Sequence, residues 1–176
     1  MQSFEDALTD VISEDFYKYI LEDLLNQLTL GETMEKNGYY YVAHPYSVFA
    51  NKESGQENRK ELERQFILAC DAAGWLMDPE QGFVVISPIS HCHPIAEQHE
   101  LPRNWAYWKR IDRTYIESSI GMIIVTNPGW RESEGVTEEI QIAKELGKPV
   151  YYLHNIDSTR YILTNEPMDI YDTTKD

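Results

Sequence analysis

Two carboxylates fall where apolar side chains are expected. In Val136–Leu146 the apolar residues Val136, Ile140, Ala143 and Leu146 recur at helical spacing, and Glu139 lies inside that stripe. Glu138, Gln141 and Glu145 fall on the opposite face. In Trp105–Ser118 the stripe is Trp105, Trp108, Tyr115 and Ile116. Asp112 lies inside it, while Arg110, Thr114 and Glu117 face out. Burying an ionised carboxylate without partners costs on the order of several kcal/mol. An acid on an apolar face is therefore either a structural ion pair or part of a functional site. Glu139 also sits near the expected start of its helix, where the dipole favours an anion by ~0.3–1 kcal/mol. Paired carboxylates suit chemistry at an anomeric carbon. One attacks or stabilises the oxocarbenium-like centre, and the other handles protons or holds hydroxyls.

The elements that must position these acids alternate along residues 38–154. Strand runs are expected at Tyr39–Ala43, Gly82–Ser87, Gly121–Thr126 and Pro149–Leu153. Helices are expected at Arg59–Met77, Trp105–Ser118 and Val136–Leu146, the last stopped by Gly147. The strands are continuous apolar runs, which suits a parallel sheet buried on both faces. Right-handed crossovers then give a doubly wound α/β sandwich, with a mainly parallel sheet of four to five strands. Ligands in such sheets bind beyond the carboxyl ends of the strands. Those ends are His44-Pro45-Tyr46-Ser47, Ser87-Pro88 and Asn127-Pro128-Gly129-Trp130.

Two flanking zones differ in character. Residues 1–37 carry nine acidic and two basic residues and no strand-like run. Their apolar spacing predicts two helices meeting near Ser13, an accessory extension. Residues 155–176 form a polar, acidic tail, expected either to add a strand or to pack on a neighbouring subunit.

Composition narrows the function. The 176 residues hold 15 Lys and Arg against 30 Asp and Glu, a net charge of −15. That argues against a duplex nucleic-acid partner, which needs a cationic face. No apolar run approaches the ~20 residues that span a bilayer, and the first residues lack a signal-peptide pattern. Cys70 and Cys92 sit in no CxxC pair. A reduced, cytoplasmic globule is expected. There is neither a GxxxxGKS nor a GxGxxG pattern, so a nucleotide triphosphatase or a dinucleotide dehydrogenase is poorly supported. No cofactor is expected. His91-Cys92-His93 with His99 lacks clearly converging ligands, so no metal is expected, and His91 or His93 is placed beside the pocket. Trp130, at a strand end, is a pocket candidate, whereas Trp105 and Trp108 are expected in the core.

Three segments together resemble the nucleoside 2-deoxyribosyltransferase-like superfamily. They are Tyr40-Tyr41-Val42-Ala43-His44-Pro45-Tyr46, Asp112 with Ile116 and the strand after it, and Ser133-Glu134-Gly135-Val136-Thr137-Glu138-Glu139. The region Ser87–Asp112 resembles an uncharacterised branch of it. The resemblance covers about residues 39–153 and implies a flavodoxin-like fold. It implies cleavage of the N-glycosidic bond of a nucleoside or nucleoside monophosphate, by hydrolysis or by deoxyribosyl transfer. Glu139 would be the nucleophile, preceded at four residues by Gly135. Asp112 would contact sugar hydroxyls and assist with protons at the base. Tyr41 would lie near the nucleophile, and Ser133 would contact the 5′ end of the substrate. Gly135, Pro45, Tyr46, Ser87, His91 and Trp130 complete the expected substrate contacts. Relatives complete their sites with a neighbouring chain, which implies a homo-oligomer. The first loop departs from the family in His44-Pro45-Tyr46 and in the long stretch Val48–Asn58. Two other functions fit the residues: a sensor that binds a nucleotide-like ligand without turnover, and a glycohydrolase of a dinucleotide such as NAD.

Overall fold

A computed structural model describes residues 30, 34–47, 55–102, 104–156 and 160–168. The two helices expected before residue 37, most of the Val48–Asn58 stretch and the end of the tail lie outside the described residues. The chain divides into two units, residues 1–34 and 35–176, and the second holds the sheet and the site.

In chain order the elements are β1 (Tyr40–Ala43), α1 (Gly55–Met77), β2 (Val85–Ile86), α2 (Pro88–His99), α3 (Trp105–Ser118), β3 (Gly121–Val125), α4 (Glu134–Glu145), β4 (Val150–Asn155) and β5 (Tyr161–Thr164). The sheet order is β2-β1-β3-β4-β5. The first four strands pair in parallel and β5 pairs antiparallel to β4. The chain thus adopts a flavodoxin-like α/β fold with a five-stranded, mostly parallel sheet. Every residue of β1 and β3 is buried, as expected for central strands covered on both faces. Their register pairs Tyr41 with Met122 and Ala43 with Ile124. Tyr41, Ala43, Met122 and Ile124 join Ile116 of α3 and Val136, Ile142 and Ala143 of α4 in one apolar cluster.

Two elements differ from the sequence reading. Of Gly82–Ser87 only Val85 and Ile86 pair, against Tyr40 and Tyr41, because this edge strand meets a single neighbour. Residues 88–99, where no helix is expected from the sequence, form α2. Ser87 caps it by accepting from Ser90 N, and Pro88 stands at its start, where a missing N–H is harmless. The tail adds β5 to the sheet, the first of its two expected courses. There His154, fully buried, bridges the Thr126 and Thr164 hydroxyls at 2.8 Å each and ties β5 to the ends of β3 and β4. Gly147 stops α4 as expected. Its φ is +64°, and Gly147 N and Lys148 N bond back to the carbonyls of Lys144 and Ala143.

Candidate active site

α3 and α4 pack side by side and each turns one acid inward. Asn104 caps α3 by accepting from Tyr107 N, and the buried residues of that helix are Asp112 and Ile116. Ser133 caps α4 by accepting from Val136 N. The buried face of α4 is Val136, Glu139, Ile142 and Ala143. It is rotated slightly from the sequence reading: Ile142 is buried, whereas Ile140 is half-buried and Leu146 exposed. Glu139 is therefore central to the buried face. Its neighbour Glu138 turns outward to pair with Lys109 at 3.2 Å. Glu139 is the sixth residue of α4, beyond the first turn, so the helix dipole contributes little to its charge. That corrects the expected source of its ionisation.

The side chain that takes that place comes from the sheet. Tyr41, fully buried in β1, donates its hydroxyl proton to Glu139 Oε1 at 2.7 Å. Burial pushes the Glu139 carboxyl well above its usual range, the nearby Asp112 pushes it further, and the Tyr41 hydroxyl pulls it back. Burial raises Asp112 to about 7, also against a pull from Tyr41. Two like carboxyls in one desolvated site ionise in succession, since the first charge opposes the second. Tyr41 has one proton to give, and its direct bond goes to Glu139. The Tyr41 hydrogen bond therefore favours the anion on Glu139 when Asp112 is protonated, because the opposing Asp112 charge is then absent.

A cavity of about 760 Å³ opens over this pair. Its wall includes Asp112 and Trp105 and Trp108 of α3; Ser133, Gly135 and Glu139 at α4; Leu62 of α1; Cys92 and His93 of α2; and His44 and Tyr46 beyond β1. It lies at the carboxyl ends of β1, β2 and β3, as the strand pattern requires. Glu132 and Glu134 add two more acids to the wall, and no Lys or Arg stands among its described residues. His44 is buried and locked. Its Nδ1 donates to the Pro45 carbonyl at 2.7 Å and its Nε2 accepts from the Asn127 amide at 2.9 Å. Burial lowers its pKa to about 4, so it stays neutral. Across the wall, Tyr46 Oη lies 2.6 Å from His93 Nδ1, and His93 Nε2 lies 3.2 Å from Glu63 Oε2.

The expected site residues divide into two groups. Asp112, Glu139, Tyr46, Ser133 and Gly135 line the cavity, and Tyr41 stands behind Glu139. Pro45, Ser87, His91 and Trp130 are not on its wall. Pro45 is buried and supplies the carbonyl that holds His44. Ser87 is buried as the cap of α2. His91 is exposed on α2, and Trp130 packs against Tyr152 with Arg131 over its ring. Trp105 and Trp108, expected in the core, reach the cavity because Asp112 holds the centre of their helix face. Sequence reasoning passed over Asn104, Glu132 and Glu134, and placed His44 at a strand end without a role. The Ser87-Pro88 pair, a helix start, was the signal that would have placed His93 inward and His91 outward.

A family described as a domain of unknown function (DUF1937) matches residues 38–155. That span contains every residue of the cavity wall. A search of the curated proteins found no match.

Proposed function

The chain belongs to the DUF1937 family, and from its site we propose that it cleaves the N-glycosidic bond of a nucleoside through a glycosyl-enzyme formed on Glu139. The observation that carries this reading is the buried pair Asp112 and Glu139, with Glu139 bonded by Tyr41, in the wall of a cavity beyond the strand ends. The Glu139 carboxylate attacks the anomeric carbon as the base departs with its bonding electrons. Asp112, protonated below about pH 7, supplies a proton to the leaving base. Tyr41 fixes the carboxylate and tempers its charge. Water then releases the sugar, or a second base accepts it, so hydrolysis and deoxyribosyl transfer share the intermediate.

Nucleosides and their monophosphates are both candidate substrates, and the charge of the wall favours the nucleoside. Ser133 is engaged as a helix cap and flanked by Glu132 and Glu134, which repel a phosphate dianion. The same reading has the chain acting in the cytoplasm as a homo-oligomer. Among the described residues no helix is long and apolar enough to cross a membrane, and light scattering at micromolar concentration tests the assembly. Incubation with nucleosides, their monophosphates and NAD, read by chromatography for released base, tests the activity. Base released from a deoxynucleoside by the wild type, and lost in Glu139→Gln, supports the reading. Ligand binding without any released base would replace it with a sensor, and nicotinamide as sole product would replace it with a dinucleotide glycohydrolase.

A further inference from the structure

Asp112, once it has protonated the leaving base, is a carboxylate that can take a proton back, and the cavity holds a second acceptor on its other side. A glycosyl-enzyme is discharged by a nucleophile that must lose a proton, and Asp112 and Glu139 are both on the α3–α4 side. On the α1–α2 side stands a second set of groups. Tyr46 and His93 both line the cavity. Their contact at 2.6 Å aligns the phenol proton with a ring nitrogen. The imidazole is held on every side. It stacks on Phe66 with centroids 4.6 Å apart and planes at 16°, meets the edge of Tyr46, and contacts Glu63 through its second nitrogen at 3.2 Å. Its side chain is 5% exposed, whereas that of Glu63 is 58% exposed. His93 also lines a separate outer groove that it shares with Glu63. One buried imidazole thus stands between the cavity and an acid that reaches solvent.

We infer that Tyr46, His93 and Glu63 form a proton relay that activates the nucleophile discharging the Glu139 intermediate. The inference rests on the glycosyl-enzyme reading above. Tyr46 is the catalytic residue of the relay, and His93 and Glu63 are positioning residues that act through it. In the step, the water oxygen bonds to the anomeric carbon. The bond from that carbon to Glu139 breaks, and its electrons return to the carboxylate. A proton of the water passes to Tyr46 Oη while the Tyr46 proton passes to His93 Nδ1. Glu63 faces the resulting imidazolium, and the extra proton leaves to solvent on that side. An acceptor base with an N–H replaces the water in transfer, with the same proton balance.

The test separates the two half-reactions of the full-length protein on a deoxynucleoside that the wild type cleaves. Tyr46→Phe and His93→Gln should release base in a first-turnover burst that is much faster than their steady state. Their steady-state turnover should fall by a factor on the order of 10²–10⁴. The peptide containing Glu139 should then carry a sugar adduct detectable by mass. Azide needs no deprotonation, so it should restore turnover in both variants and yield the glycosyl azide. Glu63→Gln should lower turnover by a smaller factor, with the same rescue. First-turnover and steady-state rates that fall together, without adduct or azide rescue, would overturn the relay while leaving Glu139 as nucleophile. A wild type that forms neither free base nor adduct would overturn the relay together with the reading it rests on.

Discussion

Burial sets Asp112 and Glu139 in opposition, because the Asp112 charge makes Glu139 harder to ionise. A nucleophile must be anionic, so turnover at low substrate should rise with pH as the pair loses its first proton. Asp112→Asn removes the neighbouring charge that raises Glu139. The acid limb of kcat/KM should therefore move to lower pH while the maximum rate falls. A limb that stays in place would separate the two acids. Stability carries the same signature. The Asp112 carboxyl sits near 7 when folded against 3.8 when free, so its cost to folding appears as pH rises from about 4 to 7. Asp112→Asn should be more stable than wild type at pH 8 by about 2–4 kcal/mol, with the difference fading near pH 4 in denaturant titrations. Glu139→Gln should fold normally and lose glycosidic turnover. Glu138→Gln, which breaks only an exposed pair with Lys109, should change turnover less than twofold. Equal losses in the two variants would remove Glu139 from the nucleophile position.

At the scale of elements, close backbone approach is concentrated at the start of β3. A Cβ on Gly121 would lie 2.8 Å from the Tyr40 ring and 3.0 Å from Pro149 Cγ. Gly121→Ala should destabilise the protein by about 1–3 kcal/mol, read as a lower denaturation midpoint. An unchanged midpoint would mean that the β1–β3–β4 junction yields freely. What the chain pattern revealed at this scale follows from physics. Central strands are apolar throughout, so β1 and β3 stood out within a residue of their ends. The inward phase of Asp112 and Glu139 was also readable, because 3.6-residue periodicity needs no tertiary information. The edges were not. β2 pairs over only two residues, and its apolar run extends further than its hydrogen bonds. α2 was hidden because its buried face is Pro88, Cys92, His93 and Ala96, without a large aliphatic residue, and Pro94 interrupts it. The partner of Glu139 could not be found from periodicity alone, since Tyr41 reaches it across a parallel crossover.

For the whole molecule, every strand and every cavity residue among the described residues lies beyond residue 34. A chain beginning at Glu35 should therefore fold and keep its turnover. A folded but inactive product would place part of the chemistry in residues 1–34. The bond from Tyr41 to Glu139 joins residues 98 positions apart in the chain, and Tyr41 faces α4 only in the observed β1–β3 register. A slip of one residue would turn that phenol to the opposite face of the sheet. Non-local parallel pairings form slowly because the loop must close before any contact rewards it. On dilution from denaturant, helical signal should therefore return before glycosidic turnover, and turnover should appear together with the near-ultraviolet signal of the buried tyrosines. Enzymatic competence in this chain would then act as a clock for completion of its sheet.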